Sequence, residues 1–400
     1  MQNIAKQVIL IFYLFLILSC EDKEVPQLNF DCNDIAGGTA TIDDCGVCDS
    51  DSTNNCIFKI YMAYQGTEKV GVLNGETGDL IREVDLNISE NKADNPHYIV
   101  IDEVNNFWYV TLLESGYVLK FDLITDELLS TIKIGNMPAL MEIDPENNYL
   151  YVSRFMPMGG AETSSTYVHR IHTETLEKDS LNIGASSPHG IALSSDGSTL
   201  WVASNQSSHF FRIETSRFHE VGYQPENYKI DETVQDSYEY NDGVYEPLEL
   251  VLNSNGQELF ISCSDMMINE IRSFSTEGGA LSNIFELGMT GRQPWHLVID
   301  PVQSILYSAN RMGNTVSVVD LNSDEITYIL DDTMNMPHGI GISSDGSRVF
   351  VTSSAMMGGG ASYLHVIDTS TNTVINNFNL GTDVIATGLA VMQGTCSNCD

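Results

Sequence analysis

The chain has 400 residues, of which 42 % are hydrophobic, so it is long and apolar enough to bury a sizeable core. Its 55 acidic residues outweigh 18 basic ones, which gives a formal net charge of −37 at pH 7. A surface of that sign repels phosphate backbones and anionic lipid headgroups, so we expect no nucleic-acid partner.

Residues 1–19 predict a lipoprotein signal peptide. Lys6 provides a basic start, and residues 8–18 form an apolar run that is too short to cross a bilayer. The run ends in Ile17-Leu18-Ser19-Cys20, which resembles the bacterial lipobox. The resemblance implies that Cys20 is acylated and anchors the protein to a membrane; a plain secretion signal with a chance cysteine is the alternative. Residues 20–31 form an acidic tether, whose start resembles signals for export to the cell surface. We therefore expect a lipoprotein of the outer membrane or the cell surface.

Six further cysteines lie at the two ends of the mature chain, in a Cys/Asp/Gly-rich unit over residues 32–56 and in a tail over residues 394–400. In an exported protein we expect disulfides rather than a zinc site. The acidic loops of the N-terminal unit are also candidates for calcium binding. Cys263, in the middle of the chain, is interpreted as a small buried hydrophobe. The disulfide candidates are Cys32, Cys45, Cys48, Cys56, Cys396 and Cys399.

A repeat with a spacing of about 40–60 residues runs through the rest of the chain. Each copy contains a short apolar strand, a turn such as Ser195-Asp196-Gly197, and further β-branched and aromatic strands. Four strands per copy are typical of the blades of a β-propeller. The copies begin at Pro96, Pro138, Pro188, Pro247, Pro294, Pro337 and, in a degenerate form, Ala386.

The two ends of this region complement one another. Residues 59–63, 70–73 and 80–86 supply three strands that lack a first one, and residues 388–392 supply a first strand that lacks its successors. Sharing one blade leaves no sheet edge open. We therefore predict an all-β fold, a single seven-bladed β-propeller of four-stranded blades over residues 57–393, with its closing blade shared by both chain ends. A small Cys-rich unit precedes it, and we expect a disulfide between that unit and the C-terminal tail.

Three segments of the repeat resemble a known family. Tyr109-Val110-Thr111, Leu200-Trp201-Val202-Ala203 and Val316-Ser317-Val318-Val319-Asp320 are similar to the YVTN-type propeller repeat. The resemblance implies the propeller fold and includes surface-layer-like binding proteins, propeller lactonases and the propeller domains of nitrous oxide and nitrite reductases. One fold serves many activities, so the resemblance leaves the function open.

Histidines recur where first strands begin, on the face that propeller topology turns away from the membrane anchor. Imidazole, together with nearby thioether, favours copper or another transition metal over hard cations. A copper site at the mouth of the channel is therefore one hypothesis, and the alternative is that each imidazole caps backbone carbonyls. The candidate ligands are His97, His189 and His338, with His296, one position later in its repeat, or a methionine completing the set.

Methionines are concentrated in the loops of the same face. Eleven of the 15 lie there, including Met137, Met289, Met334 and Met336. Methionine is adaptable and is common at binding surfaces, so we predict a recognition face for a protein, glycan or small ligand. Its proposed residues are Trp295, Met156, Met158, Met266, Met267, Met312, Met356, Met357, Arg154 and Arg311.

A lactonase-like hydrolase is the remaining alternative. Its carboxylates would be Glu142, Glu249 and Asp265, with Arg154 and Arg311 as partners. The sequence contains no Gly-x-Ser-x-Gly elbow, phosphate loop, haem-attachment motif or His-Glu-x-x-His motif. We therefore favour a binding function over an enzyme and assign no catalytic residue.

Overall fold

A computed structural model describes residues 31, 35, 38–42, 48–49, 56–88, 94–135, 137–155, 165–236, 244–355 and 360–396. The chain divides into two units, Met1–Cys56 with Cys396–Asn398 and Ile57–Thr395 with Cys399–Asp400. Among the described residues there is no helix with the length and apolar character that crossing a bilayer requires.

The first unit contains a small antiparallel pair, β1 (Thr41–Ile42) and β2 (Cys48–Asp49). The Asp31 carboxylate accepts backbone hydrogen bonds from Ile35 at 2.9 Å and Ala40 at 3.4 Å. Acylation, disulfide formation and calcium binding stay predictions, because the groups concerned lie outside the described residues. These are the whole of Cys20, Cys32, Cys45 and Cys399, and the side chains of Cys48, Cys56 and Cys396.

The second unit is a ring of seven four-stranded antiparallel sheets, which confirms the predicted seven-bladed propeller. First strands of successive blades contact one another from blade 2 to blade 7, so they line the channel. The chain enters blade 1 with β3 (Cys56–Tyr64), β4 (Lys69–Asn74) and β5 (Leu80–Asp85). Blade 2 contains β6 (Pro96–Asp102), β7 (Phe107–Leu112), β8 (Tyr117–Asp122) and β9 (Leu128–Lys133). Blade 3 contains β10 (Pro138–Asp144), β11 (Tyr149–Arg154), β12 (Tyr167–His172) and β13 (Lys178–Asn182).

The remaining blades follow the same order. Blade 4 contains β14 (Pro188–Leu193), β15 (Thr199–Ser204), β16 (His209–Glu214) and, after a 3-10 turn at Thr215–Arg217, β17 (Glu226–Lys229). Blade 5 contains β18 (Pro247–Leu252), β19 (Glu258–Cys263), β20 (Glu270–Ser275) and β21 (Leu281–Glu286). Blade 6 contains β22 (Pro294–Ile299), β23 (Ile305–Asn310), β24 (Thr315–Asp320) and β25 (Ile326–Leu330). Blade 7 contains β26 (Pro337–Ile342), β27 (Arg348–Ser353), β28 (Ser362–Asp368) and β29 (Thr373–Gly381), and β30 (Ala386–Cys396) then completes blade 1.

Ring closure occurs as the sequence predicts, because β30 lies beside β3 at the inner end of blade 1. Thr387 connects three blades at this point. Its hydroxyl donates to the carbonyl of Ala63 at 3.4 Å and reaches that of His97 at 3.5 Å, while its own carbonyl accepts from the Thr352 hydroxyl at 2.5 Å.

The core lies between neighbouring blades. Second strands such as β15 are buried along their whole length, whereas outer strands such as β9 are largely exposed. A strand covered on both faces favours continuous runs of β-branched and aromatic residues. Tight turns between first and second strands are as expected: Gly197 has φ +68°, which favours glycine, and the Asp196 carboxylate accepts from the Ser198 backbone at 3.0 Å.

Candidate functional site

A β-bulge begins six of the seven strands that line the channel. In β6, Pro96 pairs with Leu112 and Ile99 with Val110, so His97 and Tyr98 are left out of the regular ladder. The same shift recurs in β10, β14, β18, β22 and β26. Bulges re-aim side chains. His97, His189 and His338 are the second residues of their strands, and His296 is the third residue of its strand. All four lie within the bulges, so His296 can join the others although it comes one position later.

The bulges bring these histidines together. Ring centroids of His97 and His189 are 6.3 Å apart, and those of His189 and His296 are 6.2 Å apart. His296 and His338 are separated by 5.0 Å, and His338 and His97 by 5.5 Å. The side chains of blades 2, 4, 6 and 7 therefore form a closed circuit, which we call the four-histidine cluster (His97, His189, His296 and His338).

All four imidazoles are buried. Burial, and then the nearby His296, lowers the pKa of His97 to about 3. Burial, and then neighbouring imidazoles with His296 first, holds the pKa of His189 and of His338 well below the usual range. These three rings are therefore neutral at pH 7, and a neutral imidazole carries the lone pair that a metal ion needs.

Two members of the cluster have a defined tautomer. His189 Nδ1 lies 2.8 Å from the carbonyl oxygen of Leu248, which only accepts, so Nδ1 carries the proton. His296 Nδ1 lies 2.7 Å from Glu249 Oε2, and that oxygen also accepts from the Leu297 backbone at 2.7 Å. In the neutral form of each ring, Nε2 is left as the acceptor. Within the described part of the chain, His296 Nε2 is buried without a hydrogen-bond partner.

The other two members are held differently. The side-chain amide nitrogen of Gln65 lies 3.3 Å from His97 Nδ1. His338 Nδ1 is buried and makes no hydrogen bond to any described group. Metal-binding histidines usually donate their second nitrogen to a carbonyl or carboxylate, and His189 and His296 have this arrangement.

The cluster is slightly too wide for one metal ion. Imidazoles bound to a single ion at 2.0–2.1 Å have neighbouring ring centroids about 5 Å apart. His296–His338 and His97–His338 are near that value, at 5.0 and 5.5 Å, whereas the two sides that involve His189 exceed 6 Å. Accordingly, across the described ranges no three His, Cys, Asp or Glu side chains stand arranged to hold a metal ion. Binding one requires the rings, His189 above all, to move inward.

Aromatic side chains flank the cluster. Phe155 packs edge-on against His189 with centroids 4.6 Å apart, and Trp295 lies 5.9 Å from His338. The Arg311 guanidinium lies over the Trp295 ring at 4.5 Å, and burial lowers its pKa. Trp295 and Arg311 of the predicted recognition face therefore adjoin the cluster, whereas half-buried Arg154, at the end of β11, packs against Gly135.

Only some of the methionines that the sequence places on the recognition face are exposed. Met266, Met267, Met289 and Met312 are exposed, and Met266 Sδ lies 3.9 Å from Arg292. Met137 and Met334 are buried instead, and Met334 belongs to the core between blades 6 and 7. Met156, Met158, Met356 and Met357 lie outside the described residues.

Two carboxyl groups, those of Glu142 and Glu249, lie in a cavity next to the four-histidine cluster. This cavity of about 300 Å³ is lined by Glu142, Glu249, Tyr98 and His296, with aliphatic walls. Burial, and then Glu249, raises the pKa of Glu142 to about 8. Of the residues proposed for a lactonase, Glu142 and Glu249 line this cavity, whereas Asp265, Arg154 and Arg311 do not. Sequence reasoning missed Tyr98 and Gln65.

A Ser-His-Asp grouping that the sequence did not suggest is present in blade 7. Ser353 Oγ lies 2.8 Å from His365 Nε2, and His365 Nδ1 lies 3.9 Å from Asp331 Oδ1. Ser353 and His365 have no exposed surface. A serine that no substrate can reach is not a nucleophile, so we interpret this grouping as structural.

Comparisons with known proteins support the fold. No protein-family model matches the sequence, and no curated protein is similar to it at the sequence level. Among solved structures, a proposed 6-phosphogluconolactonase from Bacteroides fragilis is 15 % identical with a TM-score of 0.62, over 86 % of this chain and 100 % of its own. A functionally unknown protein from Desulfotomaculum acetoxidans is 14 % identical with a TM-score of 0.62, over 83 % and 98 %.

The structure of a lyase is also similar to that of this chain. An inactive variant of virginiamycin B lyase from Staphylococcus aureus, crystallised with quinupristin, is 14 % identical with a TM-score of 0.57 over 84 % of this chain and 96 % of that one. At such low identities the likeness shows the propeller fold alone. The similarity to the YVTN-type repeat rests on the sequence motifs.

Proposed function

We propose that this chain is an exported lipoprotein whose propeller binds a transition metal, copper first of all, at the four-histidine cluster. The observation that carries the proposal is the convergence of four buried imidazoles; the Nε2 atom of one of them, His296, is buried and makes no hydrogen bond to any residue that the structure describes. A buried polar atom that makes no hydrogen bond costs stability, and a bound cation would remove that cost.

Copper suits this set of donors better than a hard cation. Imidazole accepts both copper oxidation states, and affinity for nitrogen sites peaks at Cu(II) among the common divalent metals. Because burial keeps His97, His189 and His338 neutral, these rings bind a cation without first losing a proton. When bound, the metal would supply a redox-active or structural centre at the mouth of the channel.

The surrounding residues support the same role. The carbonyl of Leu248 and the carboxylate of Glu249 accept from Nδ1 of His189 and His296 and so direct Nε2 away from the blades. Such partners fix the ring orientation and raise its basicity as a ligand.

Metal analysis of the purified mature protein tests the proposal. After loading with copper and dialysis against a weak chelator, we expect about one copper per chain. His97→Ala, His189→Ala and His338→Ala combined should abolish retention, whereas His219→Ala, which changes an exposed histidine, should not. Copper well below one equivalent in the wild type, or equal retention in the triple variant, would overturn it.

A recognition face remains a second candidate function, carried by exposed Met266, Met267, Met289 and Met312. Replacing all four by serine should abolish capture of a protein or glycan partner and leave copper retention intact. Partner binding that survives this replacement would count against the methionine face. A lactonase-like activity is less well supported, because neither arginine proposed for it lines the cavity that holds Glu142 and Glu249.

A further inference from the structure

The channel contains a cavity that begins at the four-histidine cluster and extends along the inner strands. Its lining runs from Glu249 and His296 along the inner strands to Leu252, Ile299 and Ile342, the last residues of β18, β22 and β26. The cavity therefore extends from the cluster toward the opposite face of the propeller, and its volume of about 300 Å³ accommodates a small organic molecule.

The polar side chains that line this cavity are those of Glu142, Glu249, His296 and Tyr98. Glu142 and Glu249 provide carboxylates from blades 3 and 5, and His296 provides Nε2, which is buried and unpartnered within the described residues. In the neutral form of His296, whose Nδ1 donates to Glu249, Nε2 is an acceptor. No Lys or Arg lines the cavity, so in its described lining the only basic side chain beside the two acids is that of His296.

This set of groups fits an alkylammonium ion. A primary ammonium group has three N–H donors and no acceptor, which matches two carboxylates and one imidazole nitrogen. Burial, and then Glu249, raises the pKa of Glu142 to about 8, so Glu142 is mainly protonated at pH 7 in the empty cavity. Binding an ammonium ion as a carboxylate requires Glu142 to release that proton, which a nearby positive charge favours.

The rest of the lining argues against a hard metal ion. The walls are aliphatic, with Leu250, Val298, Ile340 and Leu389 among them, and Tyr98 adds an aromatic surface. Calcium takes six to eight oxygen ligands, and Glu249 Oε2 is already engaged by His296 and Leu297. An organic cation buries an apolar body against such walls, which a hydrated ion cannot do.

We infer that this cavity binds a small primary alkylammonium ion, with its charge at Glu142, Glu249 and His296 and its alkyl chain against the aliphatic walls. This site shares His296 with the proposed metal site, and the single Nε2 lone pair serves one occupant at a time. The two sites differ in their other residues: Glu142 belongs to the cavity alone, and His338 belongs to the cluster alone.

Calorimetric titration of the full mature chain with n-butylammonium chloride tests the inference, with n-butanol as the uncharged analogue and CaCl₂ as the metal control. We expect butylammonium to bind at least tenfold more tightly than butanol. Glu142→Gln should weaken it tenfold or more, whereas Glu286→Gln, a matched change on the exposed outer strand β21, should not alter it. Equal binding of butanol, or calcium binding that depends on Glu142 while butylammonium does not bind, would overturn the inference.

A second variant covers the case in which Glu142→Gln does not fold. Ile342→Phe narrows the cavity and leaves every acceptor in place, so it should also weaken butylammonium binding at least tenfold; unchanged binding would contradict the assignment. His338→Ala separates the two sites. It should lower copper retention and leave butylammonium binding within twofold, so failure of one site does not conceal failure of the other.

Discussion

Nδ1 of His296 lies 2.7 Å from Oε2 of Glu249, and this contact joins blades 6 and 5 at the channel. The same oxygen accepts the Leu297 backbone hydrogen bond at 2.7 Å. One carboxylate thus fixes both the packing of two neighbouring blades and the tautomer of an imidazole at the proposed metal site. Glu249 is a positioning residue in this account, because it acts on the metal through His296.

Glu249→Gln should lower copper affinity by about 10- to 100-fold, the range typical for removing such a partner of a ligating histidine. The amide oxygen can still accept from His296 Nδ1–H, but it carries no charge, so the ring loses the anionic partner that raises its basicity as a ligand. Competition against a chelator of known affinity measures the change. Glu286→Gln is the control, and an unchanged affinity in Glu249→Gln would exclude the positioning role.

Glu142 should make the protein less stable as the pH rises. Its folded pKa is raised from 4.5 to about 8, so its contribution is fully present below pH 4.5 and is lost as the pH rises toward 8. Between pH 4 and pH 7 the wild type should lose about 3 kcal/mol relative to Glu142→Gln, whose amide does not titrate. Urea unfolding at the two pH values measures this difference; parallel loss in both proteins would contradict it.

His97 should make the protein less stable as the pH falls below neutral. Its folded pKa is lowered from 6.5 to about 3, so stability is complete above pH 6.5 and is lost as the pH falls toward 3. From pH 7 to pH 5 the wild type should lose about 2 kcal/mol more than His97→Gln. The same unfolding experiment tests this, with exposed His219→Gln expected to behave like the wild type.

Cys20→Ala should release the protein from the membrane fraction, because the predicted anchor is the acylated cysteine. Incorporation of labelled palmitate into the wild type and not into the variant measures it. Secretion of an unlabelled wild type would favour the plain secretion signal, and labelling of both proteins would show that Cys20 is not the acylated residue.

Most of the fold was predictable from sequence because blade boundaries carry local signals. Proline begins six of the inner strands, and the seventh begins at Ala386 as expected. The glycine after Pro188-His189 has a cause outside its own blade: a Cβ on Gly190 would lie 2.6 Å from the carbonyl oxygen of Leu248 in the next blade. Fourth strands carry weaker signals. For example, β17 lies in a long segment, residues 218–245, that is rich in tyrosine and acidic residues and has no clear strand pattern.

The arrangement of the site was less predictable, because it depends on contacts between blades. The sequence identified the four histidines, but their convergence follows from bulges that turn consecutive side chains off the ladder. The pairing of Glu249 with His296 spans 47 residues and has no motif. Met137 precedes a strand like the exposed loop methionines, yet its backbone bonds to Leu113 and Phe155 accompany a buried side chain.

Electron paramagnetic resonance of the Cu(II)-loaded protein tests the central claim most directly, because it counts the nitrogens bound to the metal. We expect coupling to at least three imidazole nitrogens, which is lost when His97, His189 and His338 are replaced together by alanine. A spectrum without nitrogen coupling, or one that the triple replacement leaves unchanged, would contradict it.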